Sequence, residues 1–167
     1  MPAPISNKQE APDRGRQVLS VLRQFRELFR VSQQHFQRIE ADCGISGAQL
    51  WALTELGARP GLKVSEVAHA LSIHLSTASN LLDKLEARKL IRRERGTTDQ
   101  RVVKVFPTAE GKKVMKSAPR PAEGVIPAAL SKMPDDVLRR VHHDLELLLK
   151  LAGVRNPKAA LKPLAEP

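Results

Sequence analysis

Apolar residues recur at Val18, Leu22, Phe25, Phe29, Phe36 and Ile39, at gaps of four and three, with Ser32 in the one missing position. This is a heptad seam, and it predicts a long helix over about 15–41. A helix of that length needs a partner face. "CGISGAQLWALTELG" predicts a second helix with a marked start. Ser46 and Gln49 have capping-box spacing, and Ile45 and Leu50 are placed as a hydrophobic staple. Gly57 and the "ARPG" turn end it.

Two short helical patterns follow, over about 64–70 and 75–88. One carries Val67, Ala68 and Leu71 on a face, the other Ala78, Leu81, Leu82 and Leu85. So short a connection forces the pair to cross steeply, as in a helix-turn-helix. Leu90–Arg95 and Arg101–Phe106 read as strands around a loop, Gly96 to Gln100. "PTAEGKKV" restarts a helix with Thr108 as N-cap. Pro119, Pro121 and Pro127 then interrupt it. A last helix begins near Pro134, read as its N1 residue, with Asp135 and Asp136 in the first turn. Its seam is Leu138, Val141, Leu145, Leu148 and Ala152.

These elements predict a mainly α (α+β) fold. A Pro-rich tail (1–14) reads as disordered, and the segment after Gly153 (154–167) as loose. Residues 15–45 and 108–153 form a helical arm from both ends of the chain, and 46–107 a compact module between them. The two seams are apolar beyond what that module can use. A homodimer in which they pack together and against a second copy would present two helix-turn-helix units side by side.

Charge changes the picture from fold to partner. The 167-residue chain carries a net +10, which points first to nucleic acid and second to an anionic membrane. From Lys84 to Lys104 there are eight basic and three acidic residues, a balance of +5, so half of the net charge lies in 21 residues. Cations massed beside phosphates supply sequence-independent affinity. The outward residues of the second helix of the pair, Ser76, Thr77, Ser79, Asn80 and Lys84, are suited to a major groove. Taken alone they could equally be solvated helix-start residues.

No run approaches the roughly 18 apolar residues of a membrane helix. The N-terminal stretch lacks the apolar region of a signal peptide, and Cys43 has no disulfide partner. A cytoplasmic protein is the expectation. No nucleophile–base pair or paired carboxylates stand out, so no enzyme is expected.

The order helix, turn, helix, basic wing with Asp99–Gln100–Arg101, then Thr108–Gly111 ("TAEG") resembles the multiple-antibiotic-resistance regulator (MarR) family. Val64 to Val114 carry the motifs. The resemblance implies a homodimeric winged-helix repressor on a pseudo-palindromic DNA site, released by a small effector, often an aromatic anion, or by an oxidant. It implies groove and phosphate contacts from Ser76, Thr77, Ser79, Asn80 and Lys84, and wing contacts from Arg95 and Arg101; by charge, Arg92 and Arg93 are DNA-binding candidates of the same basic wing. Asp99 would hold a wing arginine. The chain departs from the family pattern at His74 and Lys63, which replace capping hydroxyls, and at Lys89, which stands where the family commonly has Gly. A neutral His74 could cap its helix and a protonated one could not.

Phe25, Phe29, Phe36 and Trp51 are candidates to line an effector pocket, against a plain core role for each. Cys43 is a candidate oxidation sensor, against an inert thiol. That makes a redox-responsive regulator one alternative; a non-specific architectural DNA binder is another. The five histidines have no zinc-like spacing, so no metal or cofactor is expected.

Overall fold

The computed structural model describes residues 10–95, 102–153, 156 and 160–163. The elements run α1 (Glu10–Cys43), α2 (Gly47–Ala58), β1 (Leu62–Lys63), α3 (Val64–Ala70), α4 (Leu75–Ala87), β2 (Ile91–Arg95), β3 (Val103–Pro107), α5 (Ala109–Ser117), α6 (Val125–Leu130) and α7 (Asp135–Leu151).

Helix α2 is the hub. Leu50, Ala52, Leu53 and Leu56 are fully buried in it, packed among Val67 of α3, Leu81, Leu82 and Leu85 of α4, and Val105 of β3. Its start is the expected capping box. Ser46 Oγ accepts from the Gln49 amide at 3.3 Å, and Gln49 Oε1 accepts from the Ser46 amide at 2.8 Å. Gly57 lies inside the last turn rather than beyond it, the helix ending at Ala58. Strand β1 pairs antiparallel with β3, which pairs antiparallel with β2, giving the order β1-β3-β2. Two residues were too short a run for β1 to stand out in the sequence.

Three expectations need correction. Helix α1 begins at Glu10, so residues 10–14 are helical rather than disordered tail. Pro134 is the N-cap of α7 and Asp135 its first residue, one position later than read. Pro119 and Pro121 do break the chain after α5, but Pro127 sits in the first turn of α6, a helix the sequence did not announce. A first-turn residue has no intrahelical acceptor for its N–H, so proline is tolerated there. His35 of α1 reaches this proline-rich stretch, its Nε2 lying 2.8 Å from the carbonyl oxygen of Pro121.

The two seams behave differently along their length. Toward the C-terminus of α1, Ile39 is buried in the chain's own core, Phe36 is half-buried against it, and Ser32 is buried. Toward the N-terminus, Val18, Leu22 and Phe29 are exposed, Phe29 by 59%. On α7, no residue is buried, and Leu138, Leu145 and Leu148 are exposed. Val21, Phe25 and Leu28 of α1 face Val141, Leu145 and Leu148 of α7 across an open groove. Among the described residues, no helix is long and apolar enough to cross a membrane.

Candidate nucleic-acid interface

Helix α4 is amphipathic at a spacing of four. Ala78, Leu81, Leu82 and Leu85 are buried, while Ser76, Asn80 and Lys84 are exposed and fall at i, i+4 and i+8, in one outward stripe. Thr77 and Ser79 are half-buried at its flank. Leu75, the first residue of the helix, is 57% exposed beside Ser76. It faces water, whereas the other apolar residues of the helix, Ala78, Leu81, Leu82 and Leu85, are buried.

Both helices of the pair end in the same way. At the end of α3, the Ile73 amide donates to Ala68 O (3.0 Å) and the Ser72 amide to His69 O (3.1 Å), with Ser72 at φ +52°. At the end of α4, the Leu90 amide donates to Leu85 O (3.0 Å) and the Lys89 amide to Glu86 O (2.8 Å), with Lys89 at φ +59°. These are Schellman closures, which place one residue in the left-handed region and usually give it to glycine. Here a serine and a lysine hold it, each at a cost of about 1–2 kcal/mol. The closure that places Lys89 in this region also turns the chain from α4 into the wing.

The base of the wing is fixed from the other side by Thr108. Its hydroxyl donates to Lys89 O (2.7 Å) and accepts from the Gly111 amide (3.1 Å), while its own amide donates to Leu90 O (3.0 Å). Gly111 is packed so tightly here that a Cβ would lie 2.1 Å from Leu90 O. The "TAEG" motif is thus a backbone clamp between wing and α5.

The wing arginines divide by strand face. Arg93 turns back onto α4, its Nη2 2.7 Å from Asp83 Oδ1 and its Nη1 2.6 Å from Glu86 Oε2, with its side chain only 24% exposed. Two carboxylates occupy its guanidinium, so despite its charge it clasps the wing to α4. Arg92 lies on the opposite face, 5.0 Å over the Phe106 ring and 2.8 Å from Glu94 Oε1. Arg95 is exposed at the far end of β2. Asp99 and Arg101 lie outside the described residues.

His74 occupies the N-cap of α4, but its ring makes no capping hydrogen bond. Its backbone amide donates to Leu161 O at 3.3 Å. Lys63 likewise caps α3 without a side-chain bond; its amide is satisfied by Glu66 Oε2 at 2.7 Å.

The aromatic candidates separate. Phe36 and Trp51 meet in one cavity of about 380 Å³ between α1, α2, the α3–α4 turn and α6, with Leu71, Ile73, Glu123, Ile126 and Leu130 also in its wall. Lys162 and Pro163 close one side. Phe25 belongs instead to the α1–α7 groove, and Phe29 lies in neither wall. Trp51 Nε1 donates to Glu55 Oε1 at 3.4 Å. Cys43 is half-buried, and burial, with a smaller contribution from Asp42, pushes its thiol pKa up. That is opposite to what a reactive thiolate needs. Among the described residues, no three His, Cys, Asp or Glu side chains group as metal ligands.

Residues 44–102, which span α2 to the wing, match the family model described as MarR family. The chain is 30% identical over 95 residues to the transcriptional regulator HosA of Escherichia coli, covering 56% of this chain and 70% of HosA. The chain belongs to the MarR family. Its sequence is also 35% identical over 86 residues to the HTH-type transcriptional repressor MdtR of Bacillus subtilis, covering 47% of this chain and 56% of MdtR, so that match spans little more than half of the relative. In structure it resembles MepR, a transcription regulator of the Staphylococcus aureus multidrug efflux pump MepA, with TM-score 0.52, 25% identity, and coverage of 79% of this chain and 96% of MepR. The structure of MepR complexed with DNA gives TM-score 0.55 at 24% identity, covering 80% and 96%. This MarR-family chain is therefore a winged-helix transcriptional regulator and not an enzyme. The small sheet and the α3–α4 pair are its winged helix.

Proposed function

We propose that the chain is a homodimeric, sequence-specific DNA-binding repressor of the cytoplasm. Residues 46–107 are its DNA-binding module, and 15–45 with 108–153 its dimer arm. The observation that carries this reading is the outward stripe Ser76–Asn80–Lys84 beside a wing held in place by Arg93 and Thr108. A hydroxyl, an amide and an ammonium in one line can follow a major groove. Leu75 at its head offers an apolar contact for a thymine methyl group. Arg95 and Arg101 reach the neighbouring minor groove, with Asp99 ordering the wing tip. Arg92 supports the sheet from its outer face.

The exposed apolar residues of α1 and α7 support dimerisation, since a monomer would leave both faces in water. The name of MdtR, a transcriptional repressor, supports the repressor reading. A small, largely apolar effector, aromatic acids being the first class to try, enters the cavity at Phe36 and Trp51. That cavity abuts the α3–α4 turn, so occupancy bears directly on the recognition helix.

The test is a salt titration of binding to a DNA duplex selected by the protein from a random library, against a scrambled duplex. A specific regulator keeps at least about a thousandfold preference at physiological salt. Equal affinity for both duplexes would instead establish a non-specific architectural binder. Adding a panel of aromatic acids to the selected complex then tests release.

A further inference from the structure

By charge alone Arg88 counts with the phosphate-binding cluster, yet its side chain turns away from the stripe on α4. It is the C-cap residue of α4, and its Nη1 donates to the carbonyl oxygen of Gly44. Gly44 closes α1: its amide donates to Glu40 O at 2.8 Å and its φ is +65°. The guanidinium thus sits at the C-terminal, negative end of the α1 dipole, on the carbonyl of the residue that closes the helix. The approach is close enough that a Cβ on Gly44 would lie 2.9 Å from Arg88 Nη2. Helix α1 packs on α2, α5 and α6, whereas α4 packs on α2, α3 and β2. Helix α2 contacts both, and Arg88 adds a direct link between the end of α4 and the end of α1.

We infer that Arg88 is a positioning residue that couples the arm helix α1 to the recognition helix α4, and so sets the separation of the two recognition helices across an operator. The inference rests on the dimeric reading proposed above. In a twofold dimer, α1 belongs to the part that fixes the partner and α4 to the part that meets DNA. Any shift of α4 relative to α1 occurs in both protomers and changes the spacing between the two helices. Half-sites one helical turn apart tolerate little such change, because one base pair is a step of about 3.4 Å.

The experiment uses full-length protein and the duplex it selects from a random library, with the half-site spacing kept, lengthened or shortened by one base pair, and an isolated half-site. Arg88→Gln removes the link. Gly44→Ala disturbs the same contact from the other side without changing a charge. Each variant is expected to lose about tenfold on the optimally spaced duplex, a charge-assisted hydrogen bond's worth. Discrimination between spacings should flatten, and half-site affinity and salt slope should stay unchanged. The double variant should be no worse than either single one. Equal loss by Arg88→Gln on every duplex with a shallower salt slope would make Arg88 a phosphate contact and overturn the inference. So would additive losses, or an unchanged spacing preference. Sedimentation of the wild type separates the two readings: a monomer removes the dimer and the inference together, whereas a dimer with unaffected variants removes the inference alone.

Discussion

The hydroxyl of Thr108 donates to the carbonyl of Lys89 across 19 residues of sequence, at 2.7 Å, and so locks the exit of α4 to the entry of α5. The wing is the chain between those two residues, and this bond, the left-handed Lys89 and the Arg93 clasp together hold it against α4. Because the same oxygen also caps α5 through the Gly111 amide, Thr108→Ala removes both bonds and should cost about 1–2 kcal/mol of stability by denaturant unfolding. Thr108→Ser should retain most of it.

Lys89 and Ser72 carry strain that glycine would relieve. Lys89→Gly should raise stability by up to about 1 kcal/mol, the relief being partly offset by a freer unfolded chain. Gly111→Ala works in the opposite direction. Its Cβ would collide with backbone at Leu90, and a loss of about 3 kcal/mol or failure to fold is expected. Thermal unfolding of the pair checks both signs.

Arg93 and Arg95 should separate in their effects although they are two residues apart. Arg93→Met removes the clasp on Asp83 and Glu86. Those partners are partly exposed, so the stability loss is about 1 kcal/mol or less. DNA affinity should fall through misplacement of the wing, with an unchanged salt slope. Arg95→Ala should leave stability intact and reduce the slope by about one. Identical slopes in the two variants would remove the distinction drawn between them.

Cys43 should be a poor peroxide sensor. Burial raises its pKa, so at neutral pH less thiolate is present than for a free cysteine, and the thiolate appears only at higher pH. Alkylation by iodoacetamide should therefore rise with pH later than that of a small free thiol. For stability, a raised acid pKa means the neutral thiol is the favoured form. Its contribution is full below the unfolded-state pKa and is lost as pH rises through the folded one. Peroxide at neutral pH should leave DNA affinity unchanged in both the wild type and Cys43→Ser.

Leu145→Asp places a charge in the α1–α7 groove and should convert the dimer to monomers in sedimentation. Persistence of dimers would show that the interface lies elsewhere.

Much of this was legible in the sequence for definite reasons. The α3–α4 pair showed because Val67, Ala68, Leu81, Leu82 and Leu85 repeat at helical spacing, and the start of α2 because Ser46 and Gln49 bond locally. What stayed hidden depended on contacts distant in sequence. Arg93 and Arg88 look alike as charges; only the fold puts one against Asp83 and the other against Gly44. Strand β1 exists because β3 offers it a ladder, and α6 because its proline falls in a first turn. The aromatic candidates were four equal residues until packing joined Phe36 with Trp51 and sent Phe25 to a different groove.

The central claim is that two copies of the α4 stripe read DNA in register. Footprinting on the DNA upstream of the chain's own gene, at physiological salt, tests it most directly. The account predicts protection of two half-sites about one helical turn apart on one face of the duplex, with Asn80→Ala altering which sequences are protected. Uniform protection along the duplex, or an Asn80→Ala loss equal on all sequences, would contradict it.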